Sequence, residues 1–165
     1  MARISNSPEF RWGIIGTGGI AKAFARDLSF FNNHIAQAVG SRSSEKATDF
    51  ALEFPTCTPY GSYEELVADP MIDAVYVATP HTEHMANTLL ALNAGKPVLC
   101  EKPFAVSANE AKEMVAAAQQ NNVALMEAMW SRFLPHYEQV REIIASGVLG
   151  KILTVQADHG QRLAD

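Results

Sequence analysis

The chain alternates short, almost wholly apolar runs with longer stretches that carry apolar residues on one face only. Short apolar runs bounded by turn residues are typical of strands that helices cover on both sides. The longer stretches repeat their apolar residues at helical spacing, as Ala47, Phe50, Ala51 and Phe54 do. The order of strand, helix and strand predicts an α/β fold with a doubly wound parallel sheet. The expected strands are residues 11–15, 35–39, 73–78, 98–100 and 123–126.

Capping residues mark the ends of the expected helices. Ser62 and Ser107 each begin a capping-box pattern, in which a serine is followed three residues later by glutamate. Gly95 is placed to adopt the left-handed conformation that follows the end of a helix. The expected helices run to about Phe31, from about residue 43 to residue 54, over residues 62–68, over 81–93 and from 107 to about 122.

The pattern changes near the end of the chain. Tyr137, Val140, Ile143 and Ile144 are apolar at helical spacing, and they predict a last helix that begins near Pro135 and ends before Gly147. Residues 150–158 then alternate like a strand of a different, one-sided sheet. We therefore expect one domain over residues 1–149, and over residues 150–165 the start of a second, α+β domain that is otherwise absent from this chain.

A glycine-rich turn follows the first expected strand. Residues 12–21 read WGIIGTGGIA. In a GxGxxA pattern the first glycine makes a tight turn, the second lets the backbone approach a pyrophosphate, and the alanine keeps the next helix close to the strand. The N–H groups at the start of that helix would bind the phosphates. A glycine turn that only ends a strand is the alternative. The first interpretation makes residues 1–149 a Rossmann dinucleotide-binding domain with five candidate contacts: Gly16, Thr17, Gly18, Gly19 and Ile20.

Polar and basic residues follow the second expected strand. Ligands of an open parallel sheet bind beyond the carboxyl ends of its strands, and an NAD-specific fold places Asp or Glu here for the ribose 2′-hydroxyl. This chain instead has Ser41 and Arg42, with Lys46 one helical turn later. Ser41 can hydrogen-bond a 2′-phosphate, and Arg42 can pair with it in a bidentate manner. The pattern predicts NADP rather than NAD, with a solvated basic residue at a helix start as the alternative.

Candidate cofactor contacts also follow the strand over residues 73–78. They are Ala78, Thr79 and Pro80, together with His84 at the inner face of the helix start. His81 and His84 lie near a glutamate, but no further set of metal ligands occurs in the chain, so we expect no metal site. We expect His81 on the surface.

The strand over residues 98–100 leads into Glu101, Lys102 and Pro103. A lysine at the carboxyl edge of the sheet, beside the expected nicotinamide, can donate to a substrate oxygen, and its pKa shifts when it is partly buried. Lys102 is therefore the candidate catalytic residue. An ion pair between Lys102 and Glu101 is the alternative.

Composition narrows the class of protein. Hydrophobic residues make up 48% of the chain and charged residues 19%, which is ordinary for a globular domain. A net charge of −5 gives no indication of a nucleic-acid or anionic-membrane partner. Cys57 and Cys100 lack the spacing of a disulfide framework or a zinc site, and Cys100 is expected to be a buried strand thiol. With no signal-peptide pattern and no long apolar span, we expect a cytoplasmic protein.

Four stretches together resemble the glucose-fructose oxidoreductase/inositol dehydrogenase (Gfo/Idh/MocA) family. They are GTGGIA at residues 16–21, ATP at residues 78–80 with His84, AGKPVLCEKP at residues 94–103 and EAMWSRFLP at residues 127–135. The resemblance extends over about residues 10–160, and AGKPVLCEKP is its most specific part. Within the family, the chain looks most like the branch of dihydrodiol dehydrogenases and NADP-dependent xylose dehydrogenases.

The resemblance implies roles for several residues. Lys102 would be the catalytic lysine, Glu101 would lie near the nicotinamide ribose, and the Lys102–Pro103 peptide bond would be cis. Trp130 and Arg132 match positions that line the cofactor or substrate cleft, although Trp130 could instead be a core residue. His159 lies too early to match the histidine that the family carries in its second domain, so most of the substrate pocket would be missing.

The expected function is that of an NADP-dependent oxidoreductase domain, which transfers a hydride between nicotinamide and a CH–OH group of a sugar, polyol or dihydrodiol. NAD is less favoured, although a minority of the family uses NAD for glycoside cleavage. The alternative from another class is a non-catalytic nucleotide-binding module or sensor on the same fold. Residues 1–165 alone are expected to bind NADP(H) without turnover, and the full-length form is expected to be a homo-oligomer.

Overall fold

A parallel sheet is the centre of the fold. The computed structural model describes residues 8–158 and residue 160. In this part of the chain the sheet has six strands, all paired in parallel, in the order β3-β2-β1-β4-β5-β6. The strands are β1 (Phe10–Ile15), β2 (His34–Gly40), β3 (Thr58–Tyr60), β4 (Ala74–Val77), β5 (Val98–Cys100) and β6 (Leu125–Glu127).

Helices connect successive strands on both faces of the sheet, as the alternating pattern predicts. Three of them begin with a serine whose hydroxyl accepts a hydrogen bond from the backbone N–H three residues later: Ser43, Ser62 and Ser107. This contact satisfies one of the N–H groups that a helix start leaves without a partner. The helices are α1 (Gly19–Leu28), α2 (Ser44–Glu53), α3 (Tyr63–Ala68), α4 (His84–Asn93), α5 (Ala108–Gln120) and α6 (Pro135–Ala145), with a 3₁₀ turn over His81–Glu83.

The side chains of the strands divide between two cores because alternate residues face opposite sides of the sheet. Ile15, Val77 and Cys100 face α3, α4 and α5, whereas Ile14 and Tyr76 face α1 and α2. All five are buried. The doubly wound parallel sheet expected from the apolar runs is therefore confirmed, and so is the buried strand thiol of Cys100.

The strand order places a switch point between β1 and β4. The chain winds outward from β1 through β2 to β3, and then returns to place β4 on the other side of β1. A crevice forms at such a point because the two connections leave the sheet in opposite directions. The loops of this sheet in which the sequence predicts cofactor contacts follow β1, β2, β4 and β5. Each of them begins at the carboxyl end of its strand, at the edge of the sheet where the crevice lies.

Two element boundaries differ from those expected. The first helix ends at Leu28 rather than near Phe31, because Ser29 caps it and residues 29–33 form turns. Residues 58–60, for which no strand was expected, form the edge strand β3. Pro59 is tolerated there because β3 pairs only with β2, so the missing N–H has no second neighbour to serve.

The chain forms two compact units, Met1–Ala128 and Met129–Asp165. The described part of the second unit contains a 3₁₀ turn over Trp130–Phe133 and helix α6, and the Arg141 guanidinium donates to the Arg132 carbonyl. The strand expected over residues 150–158 is wrong, since these residues form no regular structure. A strand exists only through hydrogen bonds to a neighbouring strand, and the described residues of this unit provide none.

Lys96 is a structural residue within the most specific family motif. It follows Gly95, whose φ of 73° confirms the expected left-handed position after α4. Its ammonium donates to the backbone carbonyls of Asp69 and Ile72 at 2.9 and 2.7 Å. These carbonyls lie in the turn between α3 and β4, so one side chain joins two connections on the same face of the sheet.

Replacing Lys96 with methionine should lower the free energy of unfolding by about 2 kcal/mol, because two carbonyls lose a charged donor while the aliphatic part of the side chain is kept. Urea denaturation followed by circular dichroism measures this change. Lys112→Met, at an exposed position on α5, is the matched control and should have almost no effect. Equal effects of the two substitutions would contradict the structural role of Lys96.

Candidate functional site: a nucleotide cleft at the switch point

The glycine loop after β1 passes very close to the end of β4. Gly16 has a φ of 109°, and a Cβ at this position would lie 2.8 Å from the Ala78 carbonyl oxygen. Its N–H donates to the Gly40 carbonyl at the end of β2. Glycine is therefore required at position 16, both by the positive φ and by the lack of space for a side chain. Through these contacts Gly16 connects the ends of three adjacent strands at the crevice.

Gly18 and Gly19 have a different reason to be glycine. A Cβ at either position would meet no protein atom within 4 Å, and neither has a positive φ. Gly18 is the N-cap of α1, but no side chain caps this helix, in contrast to α2, α3 and α5. The N–H groups of the first turn of α1 thus face a region that is open to an anion, as in pyrophosphate-binding loops.

A cleft of about 340 Å³ lies beside this loop. Most of the sequence-predicted cofactor contacts line it, and they come from the ends of β1, β2 and β4. No acidic side chain is among its lining residues in the described part of the chain. The lining residues are Gly16, Thr17, Gly18, Ser41, Arg42, Ser43, Lys46, Tyr63, Ala78, Thr79 and Pro80.

The β2 side of the cleft is polar and basic. Ser41 is only 6% exposed, and its hydroxyl oxygen accepts a hydrogen bond from the Ser43 N–H at 3.2 Å. The side chains of Arg42 and Lys46 are both exposed. Tyr63, at the start of α3, lies close to Arg42: burial raises the pKa of the Tyr63 hydroxyl, and the positive charge of Arg42 partly opposes this rise.

Two side chains of α4 hold the Thr79–Pro80 segment in place. The Asn87 amide donates to the Thr79 hydroxyl at 3.1 Å, and Asn87 is 6% exposed. His84, which is 1% exposed, brings its Nε2 to 2.9 Å from the Thr79 carbonyl oxygen. These two residues fix the segment that forms the β4 side of the cleft.

His84 also contacts the loop after β5. Its Nδ1 lies 2.8 Å from the Pro103 carbonyl oxygen, so each ring nitrogen faces a carbonyl. A neutral imidazole has one N–H and can donate to one of these oxygens, whereas an imidazolium donates to both. His84 thus contacts the ends of both β4 and β5 and donates a hydrogen bond to at least one of them. His81 is exposed, as expected.

Further contacts fix the Glu101–Phe104 loop, in which the Lys102–Pro103 peptide bond is cis, as the family resemblance implies. The Glu101 carboxylate accepts from the Tyr76 hydroxyl at 2.5 Å and from the Lys102 N–H at 3.0 Å. The Phe104 N–H donates to the Glu127 carboxylate at 2.9 Å, at the end of β6. The loop is therefore anchored to β4 and β6 as well as to α4.

The Lys102 side chain is exposed at the carboxyl edge of the sheet. Among the residues that the structure describes, its ammonium makes no ion pair within 4.0 Å. The structure therefore does not contain the ion pair between Lys102 and Glu101 that the sequence left as the alternative. Hydrogen bonds hold the loop around Lys102, so its charged side chain projects from a well-anchored backbone.

Of the remaining candidates, two lie outside the cleft and two belong to the second unit. Gly19 and Ile20 form the first turn of α1, where Ile20 is half exposed and neither lines the cavity. Trp130 and Arg132 lie in the 3₁₀ turn of the second unit, and both are exposed there. Their roles, like those of the other candidates, stay predictions.

Sequence reasoning missed three residues that shape the site. From the sequence, Tyr63 and Asn87 are only members of the expected helices over residues 62–68 and 81–93, and Glu127 is only the first residue of a family motif. Glu127 could have been found from the rule that polar residues at the carboxyl ends of parallel strands meet at one edge. Tyr63 and Asn87 carry no such local signal.

Other kinds of site are not seen among residues 8–158 and 160. No group of three or more His, Cys, Asp or Glu side chains could hold a metal ion there. Burial raises the pKa of the Cys57 thiol to about 12 and that of Cys100 to about 11, so neither is a reactive thiolate at neutral pH. No described helix has the length and apolar character needed to cross a membrane.

The fold and the loop geometry define an NAD(P)-binding Rossmann domain. Residues 10–129 match the model of an oxidoreductase family with an NAD-binding Rossmann fold, and the chain belongs to this Gfo/Idh/MocA family. The family and the fold expected from the four sequence stretches are thus confirmed.

Two curated relatives illustrate the similarity. Trans-1,2-dihydrobenzene-1,2-diol dehydrogenase of Mus musculus is 45% identical over 152 residues, covering 91% of this chain and 46% of that protein. D-xylose 1-dehydrogenase (NADP(+)) of Hypocrea jecorina is 43% identical over 165 residues, covering 93% of this chain and 42% of that protein. The chain thus spans about half the length of the curated relatives that it matches.

Solved structures are similar as well. The 3-ketoreductase KijD10 of Actinomadura kijaniata, in complex with NADP, superposes with a TM-score of 0.78 at 32% identity, over 87% of this chain and 46% of that one. An NAD binding oxidoreductase of Klebsiella pneumoniae also has a TM-score of 0.78, at 31% identity, over 86% of this chain and 40% of that one. These relatives are named for different nicotinamide cofactors.

Replacing His84 with phenylalanine should lower the free energy of unfolding by about 1–2 kcal/mol, because part-buried carbonyls at the ends of β4 and β5 lose a hydrogen-bond donor. Denaturant titration measures the change. His81→Phe, three residues earlier and exposed, is the control and should change stability by no more than about 0.5 kcal/mol. A His84 variant as stable as the control would contradict the joining role.

Proposed function

We propose that this chain is the NADP-binding, lysine-bearing part of an oxidoreductase that acts on a CH–OH group. One observation carries the preference for NADP: Ser41, Arg42 and Lys46 line the same cleft as the glycine loop, and no acidic side chain is among its described lining residues. An acidic residue at this place would accept a hydrogen bond from a ribose 2′-hydroxyl and repel a 2′-phosphate. The names of the D-xylose dehydrogenase and KijD10 relatives support the same choice.

The cleft fits the adenine half of this cofactor. The uncapped start of α1 offers backbone N–H groups to a pyrophosphate, and the absence of side chains at Gly18 and Gly19 leaves room for it. Arg42 and Lys46 supply two positive charges for the 2′-phosphate, with a charge-assisted and geometrically specific contact from Arg42. Tyr63 lies beside Arg42 and forms another wall of the same subsite.

The nicotinamide half belongs on the other side of the switch point, above β4, β5 and β6, because dinucleotides span the crevice of this fold. There Glu101 offers carboxylate oxygens to the ribose hydroxyls. When bound, NADP⁺ supplies the hydride acceptor. Lys102 holds the substrate hydroxyl oxygen by a hydrogen bond and takes part in moving its proton. Thr79 and Pro80, held by His84 and Asn87, form the boundary between the two halves.

The proposed substrates are small sugars, polyols or dihydrodiols, and the two curated relatives are named for a dihydrodiol and a sugar. Trp130 and Arg132 are proposed to line the cofactor or substrate cleft, and a domain boundary near residue 149 and a homo-oligomeric full-length form remain part of the same proposal. A nucleotide-binding module without catalysis is the second candidate function. It shares the adenine subsite but has no use for an exposed Lys102 that makes no ion pair with the described residues.

NADPH should bind this chain more tightly than NADH, because only NADPH carries the 2′-phosphate. Arg42→Asp should lower NADPH affinity about tenfold or more and raise NADH affinity, since it removes a charge-assisted contact and adds an acceptor for a 2′-hydroxyl. Fluorescence titration with both cofactors measures the ratio of the two affinities.

Arg26→Asp is the matched control for this titration. It makes the same change in net charge at an exposed position in the last turn of α1, outside the cleft. It should leave the ratio of the two affinities unchanged. Equal affinity of the unmodified chain for NADH and NADPH would refute the proposed preference.

Acetylation of lysine amines, quantified by mass spectrometry, should report the position of the nicotinamide half. NADPH should slow the acetylation of both Lys46 and Lys102, because the two lysines lie in the two halves of the proposed site. Adenosine 2′,5′-bisphosphate, which lacks the nicotinamide half, should protect Lys46 only.

Lys112 on α5 is the internal control in the same experiment, and its reaction should not respond to either ligand. If NADPH left Lys102 as reactive as in the free chain, the lysine would not lie beside the nicotinamide. That outcome would favour the non-catalytic nucleotide-binding module.

A further inference from the structure

Tyr76 has a buried hydroxyl at the carboxyl edge of the sheet. The residue is 2% exposed and lies near the end of β4. Its hydroxyl donates to the Glu101 carboxylate at 2.5 Å, across to the loop that follows β5. A buried hydroxyl without a partner is costly, and this one has taken a carboxylate as its acceptor.

The hydrogen bond from Tyr76 helps to hold the Glu101 carboxylate in one orientation. One Glu101 oxygen accepts from Tyr76, and the other accepts from the Lys102 N–H. Burial and the neighbouring carboxylate both raise the pKa of the Tyr76 hydroxyl, so it remains protonated and a donor at any pH at which the protein is studied. With one oxygen on each donor, rotation of the carboxylate is restricted.

The ring of Tyr76 has a separate function from its hydroxyl. It stacks on Phe24 of α1, with ring centroids 4.0 Å apart and an interplanar angle of 24°. Tyr76 therefore belongs to the core between the sheet and the helix that begins at the glycine loop. Removing the hydroxyl alone leaves this packing in place, which makes the two functions separable.

Glu101 lies on the β4–β6 side of the switch point, where a dinucleotide places its second nucleotide. We propose that Tyr76 is a positioning residue, whose hydroxyl orients the Glu101 carboxylate toward the ribose hydroxyls of the nicotinamide half of NADP(H). A pre-oriented acceptor loses less conformational freedom when the ligand binds, and this gain is confined to the nicotinamide half. The inference rests on the proposed function.

The test compares two ligands. NADPH uses both halves of the site, whereas adenosine 2′,5′-bisphosphate uses only the adenine half. Tyr76→Phe should weaken NADPH binding about fivefold to tenfold, because an unoriented Glu101 carboxylate loses more conformational freedom on binding, and should leave adenosine 2′,5′-bisphosphate binding unchanged. The ratio of the two dissociation constants, measured by calorimetry, is the readout. A purely structural role for the hydroxyl would weaken both ligands equally and would overturn the proposal.

Phe24→Leu is the matched control, because it removes the ring stack and keeps the hydroxyl. It should lower stability but leave the ratio of the two dissociation constants unchanged. Glu101→Ala supplies a second variant. Since Tyr76 acts through Glu101, adding Tyr76→Phe to Glu101→Ala should have no further effect on the ratio, and independent, additive effects of the two changes would overturn the inference.

The unmodified chain separates this inference from the proposed function. If it bound neither ligand, the proposed function would fail and the inference with it. If it bound NADPH no more tightly than adenosine 2′,5′-bisphosphate, the adenine half of the proposed function would stand, but Glu101 would contribute no contact and the role of Tyr76 would be overturned.

Discussion

The close approach of Gly16 to the Ala78 carbonyl is the constraint on which the rest of the site depends. It brings the end of β1 against the end of β4 with no space for a side chain, and so sets the width of the crevice at the switch point. Everything that faces the crevice is then positioned relative to this one contact. Arg42 and Lys46 lie on one side of it, and the Glu101–Phe104 loop lies on the other.

The two sides of the crevice are stabilised in different ways. On the β2 side, basic side chains that reach solvent project from the start of α2, and Ser41 beside them is buried. On the β5 side, the loop is tied to neighbouring elements through His84, Tyr76 and Glu127. A charge contact tolerates some movement, because Coulomb attraction falls off gradually with distance. In the proposed function, hydride transfer requires reacting atoms at near-attack distance, and a fixed support for Lys102 would suit that requirement.

Much of the fold could be predicted from the sequence, because strands buried on both faces leave unmistakable apolar runs and capped helices leave local signals. The candidate cleft could also be predicted in large part, since it collects the residues that directly follow β1, β2 and β4. What could not be predicted are contacts between residues far apart in sequence. Tyr63 beside Arg42 and Glu127 beneath Phe104 are examples, because neither tyrosine nor glutamate indicates its partner locally.

Residues 150–158 show the opposite case, in which a local pattern predicts a structure that does not form. The alternation over residues 150–158 is a valid strand pattern, yet pairing depends on a neighbour and not on the pattern itself, so no strand forms there in the described chain. Edge strand β3 is the reverse case: Pro59 weakens the local signal, but β2 is present to pair with it. Local sequence sets what a segment can form, and the available partner decides whether it forms.

The missing side-chain cap on α1 links ligand binding to the cohesion of the domain. Helices α2 and α3 begin on a serine that satisfies one N–H group of their first turn, whereas the first turn of α1 has no side-chain acceptor and leaves its amides to solvent or to an anion. A bound pyrophosphate would then cap this helix as well as being part of the bound ligand. By mass action, the folded state would gain stability with rising nucleotide concentration, so the population of intact domain in a cell would follow its nucleotide supply.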